Sequence, residues 1–543
     1  MIDEKHIMRT LKELAKVPSI SGTSKENLAA DKIYDLLSDI EYFKNNKNNL
    51  NIHPIENDIY KRTFVSAFLK GKKESKDIVI LTGHFDVVDI QEFGELKDIA
   101  FDIDKCTENI NKLPLEKDVL KDFKSKDWIF GRGSSDMKYG LALYIELLRE
   151  FSKKRDFKGN ILFLAVPGEE SNSEGMLSAV SYLSLLKDKG YNFKTLFLSE
   201  CSTPKHEGEN KKRIYIGSVG KIMPTFFCVG KATHVGNSFG GLNPNLMISE
   251  VNRLMEYNMD FSDSFGEDIT LPPSCLKQED LKDLYSVQTP LYSYAYYNLL
   301  TLKMKPEEIM EKLKLIANNA FENTIKIFKD NYGKYSDKIS KESIEDLDIK
   351  PCILTYEKLY KEVEKLDKDF SNKIDKMVCK WKKEKLDNQT ISINIIKETY
   401  ENYPNKKPMI IIAYNVPYYP HKYLNSDKKE DKYLLDKVED IINYARDEYN
   451  IEIEKENFFM GISDLSYTGL SKDFNIDSIC KNMVGINSTY MFPEKELKKL
   501  NIPSIVFGGY GKDFHKYSER LNIPYSMGIV PNLYVYALNS ILK

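Results

Sequence analysis

Apolar residues fall at helical spacing over residues 4–16, where Ile7, Leu11, Leu14 and Ala15 share one face, and Pro18 with Ser19, Ser21 and Gly22 stops the pattern. A second helix is expected after Thr23 and Ser24, with Glu26 near its first turn. The pattern then shifts to short, uninterrupted, branched runs at 78–81, 161–166 and 196–198, separated by helical segments at 141–151 and 176–186. Continuous apolar strands alternating with helices predict an α/β fold, a mostly parallel sheet covered by helices on both faces.

The order changes after Gly217-Ser218-Val219-Gly220. A strand at 225–229, a Gly/Asn-rich loop at 236–245 and a helix at 246–257 are followed by a strand at 292–303 and a helix at 306–328, closed by a branched strand at 409–414. That βαβα order suits a smaller α+β, ferredoxin-like domain, an antiparallel sheet with helices on one face, inserted in the larger one as a lid or dimerisation domain. The expected division is 1–221 for the first part of a catalytic domain, 222–419 for the insertion and 420–543 for the second part. Residues 330–407 form a largely helical elaboration within the insertion, with Tyr356, Leu359, Tyr360 and Val363 at helical spacing, and carry no recognisable chemistry. From Tyr433 a helix and two short strands, one at 503–508, return the chain towards His515.

Composition narrows the function classes. A chain of 543 residues exceeds one compact core. With 79 basic against 82 acidic residues, interspersed, the formal charge is −3, which gives no footprint for nucleic acid or an acidic membrane. Runs such as Lys382-Lys383-Glu384-Lys385 read as solvated helix faces. The 7 cysteines are odd in number, scattered and without a C-x-x-C pair, as free thiols in a reducing compartment would be. The residues after Met1 lack the pattern of a signal peptide, and no run approaches the roughly 18 apolar residues of a membrane span. A cytoplasmic protein without a membrane partner is expected.

The chemistry sits where the strands end. The first branched run leads into His84 and Asp86, the second into Glu169 and Glu170, the third into Glu200, while Asp136 lies in Gly131-Arg132-Gly133-Ser134-Ser135-Asp136-Met137-Lys138 and His515 comes late. Ligands gathered at the carboxyl ends of parallel strands are where open α/β sheets build sites. Singly, an H-x-D, a Glu-Glu pair or a Gly-rich turn is common; two of the 7 histidines at the first and last of these stations, with acids after separate strands, form a constellation. His6, His53 and His206 have no such setting and are expected on the surface. Zinc takes His nitrogen and carboxylate oxygen, and a pair of ions needs about five protein ligands. His84, Asp136, Glu170, Glu200 and His515 supply them. Glu169 is then left to carry a proton from water to a leaving nitrogen, and Asp86 to hold the far ring nitrogen of His84. No G-x-S-x-G elbow is present, and Gly217-Ser218-Val219-Gly220-Lys221 lacks the outer residues of a P-loop.

These blocks resemble the M20 family of di-zinc metallopeptidases and amidohydrolases. Residues 81–88 match L-x-G-H-x-D-V-V, residues 128–142 match W-x-x-G-R-G-x-x-D-M-K-x-G-x-A, Pro167-Gly168-Glu169-Glu170 matches its E-E block, and His515 with Glu519 resembles its terminal H-x-x-x-E. The resemblance implies that His84 and Glu200 bind one zinc, Glu170 and His515 the other, with Asp136 bridging, Glu169 as base and a cis peptide at Asp136-Met137. Cobalt or manganese could occupy the same shell. His234, followed by Gly241 and Asn243, matches a further block whose histidine donates to the substrate oxygen, often across a homodimer interface; it could instead cap the Gly/Asn loop. Thr233, Ser238, Pro244 and Tyr139 depart from the family pattern without removing a ligand. The block from Asn415 to His421 and that from Gly461 to Tyr467 resemble the longer branch named for the arginine-utilisation protein RocB. The implied activity is hydrolysis of an amide bond in a small peptide or N-acyl amino acid, in amino-acid catabolism, through a hydroxide bridging two metals. The competing reading is a catalytically silent relative that binds an amino acid or a partner protein.

Overall fold

The computed structural model describes residues 2–206, 208–339, 349–470 and 474–543. They form two compact units, the first Met1–Val219, Lys422–Lys472 and Pro493–Lys543, the second Gly220–His421 and Asp473–Phe492.

In the first unit, helix α1 (Glu4–Ala15) is capped by the Asp3 carboxylate accepting from Lys5 N, and buries Ile7, Leu11 and Leu14. Helix α2 (Glu26–Ser38) opens with Glu26 Oε1 accepting from Gly22 N at 2.9 Å, which fixes the turn that Pro18 and Gly22 begin. The strands of this unit include β1 (Leu50–Pro54), β2 (Thr63–Lys70), β3 (Lys73–His84), β4 (Trp128–Phe130), β5 (Lys158–Val166), β6 (Asn192–Leu198), β7 (Lys212–Tyr215), β8 (Ile453–Glu456), β9 (Ser504–Val506), β10 (Gly511–Lys512) and β11 (Arg520–Asn522). Eight of them form one sheet in the order β1-β2-β5-β3-β6-β9-β7-β8. Its centre, β5-β3-β6-β9, is parallel. Both sides depart from the parallel expectation: β9 pairs antiparallel with β7, and β2 pairs antiparallel with both β5 and β1, the latter because a short connection joins β1 to β2 without the helical crossover a parallel pair needs.

Ile78, Val79, Ile80 and Leu81 are all fully buried, which is why this strand reads as an unbroken apolar run. Val79 and Leu81 share a core with Leu11 of α1, Leu141 and Leu148 of α3 (Lys138–Lys154) and Leu538 of the last helix. Each such side chain contributes about 1.5–3 kcal/mol by leaving water.

The second unit is built on a 5-stranded sheet in the order Ser274–Asp280, Tyr292–Thr301, Gly220–Val229, Met409–Tyr419, Ile353–Thr355, antiparallel except for its last pair. Helices are expected on one face, and the structure has them on both. Tyr297 stacks edge-on with Phe226 and donates to Asn252 of the helix Pro244–Met255. The alternate residues Phe227, Val229 and Ile411 pack instead with Leu359, Val363, Phe370, Ile374 and Ile395 of the later helices. The helical elaboration is thus the second cover of this sheet, and only part of it can be described, since 340–348 lie outside the described residues. The helix expected at 306–328 runs on to Ile339. Residues around 482–484, expected with the closing part of the first domain, belong to this unit: Tyr414 N donates to Asn482 O and Val484 N to Tyr414 O, at 2.8 and 2.9 Å. Among the described residues, no helix is long and apolar enough to cross a membrane.

Candidate metal centre

Strands β5, β3 and β6 are parallel neighbours in register, with His84 opposite Val166 and Thr82 opposite Leu198. Their carboxyl ends therefore open on the same edge of the sheet. His84 is the last residue of β3, Glu169 and Glu170 follow β5 after Pro167-Gly168, and Glu200 follows β6. Asp136 precedes α3, across a cis peptide to Met137. His515 lies on the turn between β10 and β11, at a left-handed φ of 65°.

These residues meet. His84 Nε2 is 3.2 Å from Asp136 Oδ1, 3.4 Å from Glu200 Oε1 and 3.9 Å from Glu169 Oε2. His515 Nε2 is 3.1 Å from Asp136 Oδ2 and 3.1 Å from Glu170 Oε2. Asp136 thus turns one oxygen to each imidazole. Two groups able to hold a cation share it: His84, Asp136 and Glu200, and Asp136, Glu170 and His515. A third combination joins His84 with Glu169 and Glu170.

Asp86 sits behind this cluster, fully buried. The sequence assigns its carboxylate to the far nitrogen of His84; the closer partner of Nδ1 is the main-chain carbonyl of Asp86, at 3.0 Å, with the carboxylate at 3.5 Å. A carbonyl only accepts, so Nδ1 carries a proton, and Nε2 is the ring atom that faces the acids. The Asp86 carboxylate accepts from the backbone N–H of Glu169 at 3.2 Å and of Glu170 at 3.1 Å.

The electrostatics are those of an acid cluster short of positive charge. Burial and the neighbouring Asp136 push Glu170 up to about 7, against the pull of His515. Burial, with Glu170 and Asp464, drives Glu169 well above the carboxylate range, although His84 pulls it down. Burial also raises Glu200. For Asp136, burial is outweighed by hydrogen bonds to His515 and His84, which hold it below its ordinary value. His84 is lowered by burial, yet Asp136, Asp86 and Glu200 together lift it well above its usual range. Hydrogen bonds to Asp136 and Glu170 raise His515 to about 10. Four carboxyls around two imidazoles, Asp136 and Glu200 buried and Glu169 and Glu170 partly so, call for further positive charge, and the nitrogen and oxygen donors fit a divalent cation at each of the two groups.

Asp464 is a buried acid inside the block from Gly461 to Tyr467, where no sequence signal singles it out. It is 1% exposed, and burial raises it to about 7 despite Ser173 and His84, with Asp86 and Glu200 adding to the rise. His234 belongs to the second unit. It is exposed and does cap the Gly/Asn loop, its Nδ1 accepting from Gly236 N at 3.0 Å.

The profile of Peptidase family M20/M25/M40 matches residues 80–488. Protein RocB of Bacillus subtilis is 33% identical over 527 residues, which span 96% of this chain and 92% of RocB. The uncharacterized protein YqjN of the same organism is 34% identical over 553 residues, 99% of this chain and 96% of YqjN. The solved structure of the di-peptidase Dug1p from Saccharomyces cerevisiae shares the fold, with a TM-score of 0.57 and 12% identity over 99% of this chain and 96% of Dug1p. The chain belongs to the M20 peptidase family, and it is a hydrolase of peptide or amide bonds.

Proposed function

We propose that this protein hydrolyses the amide bond of a small peptide or an N-acyl amino acid at a two-cation centre. His84, Asp136 and Glu200 would hold one ion, and Asp136, Glu170 and His515 the other. The observation that carries the reading is the placement of Asp136, one carboxylate oxygen 3.2 Å from His84 and the other 3.1 Å from His515. Zinc suits this donor set, with cobalt or manganese as substitutes. Bound cations supply Lewis-acid polarisation of the scissile carbonyl and a lower pKa for an attacking water.

Glu169 is the general base of this reading. Its carboxylate stands 3.9 Å from His84 Nε2, and desolvation makes it a stronger proton acceptor than a free carboxylate, which suits it to carry a proton from water to the leaving nitrogen. Asp86 holds the main chain on both sides of that role by accepting from Glu169 N and Glu170 N. In the second unit, His234 accepts at Nδ1 from Gly236 N, so the neutral ring carries its hydrogen on Nε2. That donor suits the developing oxyanion of the substrate. A homodimer is the assembly in which His234 would act on a partner's substrate. The catabolic setting expected from the RocB branch, amino-acid and specifically arginine use, belongs to the same reading, as does a reducing cytoplasm, which the free cysteines support.

The test is turnover of a panel of dipeptides and N-acyl amino acids by the zinc-loaded protein, with Glu169→Ala alongside. Turnover in the wild type and a loss of about 10²–10⁴-fold in the variant, metal content unchanged, is expected. Full activity in the variant would remove Glu169 from its role.

A further inference from the structure

Arg132 and Glu519 form an ion pair that is shut away from solvent, their side chains 2% and 0% exposed. Each partner also holds a different candidate ligand. Glu519 Oε2 accepts from Arg132 Nη1 at 2.7 Å, while its Oε1 accepts from the backbone N–H of Ser135 at 3.1 Å and of Asp136 at 3.3 Å. The other arm of the guanidinium, Nη2, donates to the main-chain carbonyl of His515 at 3.0 Å. Gly131 N closes the loop by donating to Glu519 O at 3.2 Å.

The geometry has a direction. Asp136 and His515 lie far apart in sequence, on a loop before α3 and on the β10–β11 turn, and this pair joins those two pieces of chain. The His515 side chain is 53% exposed, so packing alone does little to aim it. The His84 group has a separate support, the Asp86 carbonyl on Nδ1. A buried ion pair is a weak way to add stability, because both charges lose their water. Fixing the relative positions of two ligands is a task that suits it, since each partner uses one atom for the pair and another, in a directional hydrogen bond, for a ligand-bearing segment.

We propose that the Arg132–Glu519 pair is the positioning device of the cation site Asp136, Glu170 and His515, two of whose ligands it holds, and that the His84 group, of which it holds only the shared Asp136, depends on it far less. This rests on the two-cation reading above. Arg132 and Glu519 touch no reacting atom; they act through Asp136 and His515. A competing support for the same turn exists in Arg520, which pairs with Asp513, Asp118 and Asp122. If that network alone aims His515, the proposal is wrong.

The experiment is a zinc titration of the full chain by calorimetry and equilibrium dialysis, comparing wild type, Glu519→Gln and Arg132→Lys, with His515→Ala to mark which equivalent belongs to the His515 group. Wild type is expected to bind two equivalents. Glu519→Gln and Arg132→Lys should keep the equivalent that His515→Ala keeps and bind the other about 10- to 100-fold more weakly. A folded variant that lowers the unfolding temperature yet binds both equivalents as wild type does would show a merely structural pair and overturn the proposal. So would an equal weakening of both equivalents. Should neither single variant fold, Arg132→Met combined with Glu519→Leu leaves no lone buried charge and carries the same comparison. A wild type that binds fewer than two equivalents overturns the two-cation reading instead.

Discussion

The main-chain carbonyl of Asp86 lies 3.0 Å from Nδ1 of His84, and this leaves the Asp86 carboxylate to accept from the amides of Glu169 and Glu170. One residue thereby sets the tautomer of a candidate ligand and the main-chain course of the base and of another ligand. Asp86→Asn keeps the carbonyl but turns an NH2 towards one of those amides. The expected result is turnover lower by about 10- to 100-fold with both zinc equivalents retained, read from kcat and metal analysis of the same preparation.

Gly508 follows β9 and passes against the loop that carries Glu200. A Cβ there would stand 2.4 Å from the main-chain oxygens of Ser199 and of Glu200. Backbone atoms cannot swing aside as a side-chain end can, so Gly508→Ala must push the Glu200 segment. Overpacking of this kind costs about 1–3 kcal/mol, measurable by urea unfolding. The zinc equivalent assigned to His84 and Glu200 should weaken, and the one assigned to His515 should not.

The cation-free protein should lose stability as pH rises. Glu170 sits at about 7 against an ordinary 4.5, and His515 at about 10 against 6.5, so both bind a proton more tightly folded than unfolded. Their contribution is greatest at low pH. It declines from 4.5 to about 7 for Glu170 and from 6.5 to about 10 for His515. Zinc competes for the same lone pairs and binds better as they deprotonate. In chelator the unfolding temperature should therefore fall between about pH 6 and about pH 9, while the gain on adding zinc grows over that range. A gain that shrinks as pH rises would contradict these directions.

His234→Ala should leave both zinc equivalents in place and lower kcat by about 10²–10³-fold, the usual loss when one oxyanion donor is removed. Unchanged kcat with intact metal would return His234 to its capping role on the Gly/Asn loop.

Much of the first unit was legible because its central strands are covered on both faces, so Ile78 to Leu81 had to be apolar without interruption, and the run ends close to His84. The same pattern could not separate parallel from antiparallel neighbours, and β2 proved antiparallel to β5. Which part of Asp86 faces His84 was not legible, since a sequence gives a residue both a carbonyl and a carboxylate and does not say which one turns inward. The helices after Tyr356 could be read as amphipathic, but not as the cover of a second sheet face, because a helix stripe names no partner. Arg132 and Glu519 stood in recognisable blocks. Their pairing depends on a fold that brings residues 387 apart into contact.

The two-cation claim is tested most directly by the zinc anomalous difference map of crystals grown with the metal. Two peaks roughly 3.5–4 Å apart are expected, one beside His84 and Glu200, one beside Glu170 and His515, with Asp136 between them. A single peak, no peak, or zinc bound away from Asp136 would contradict it.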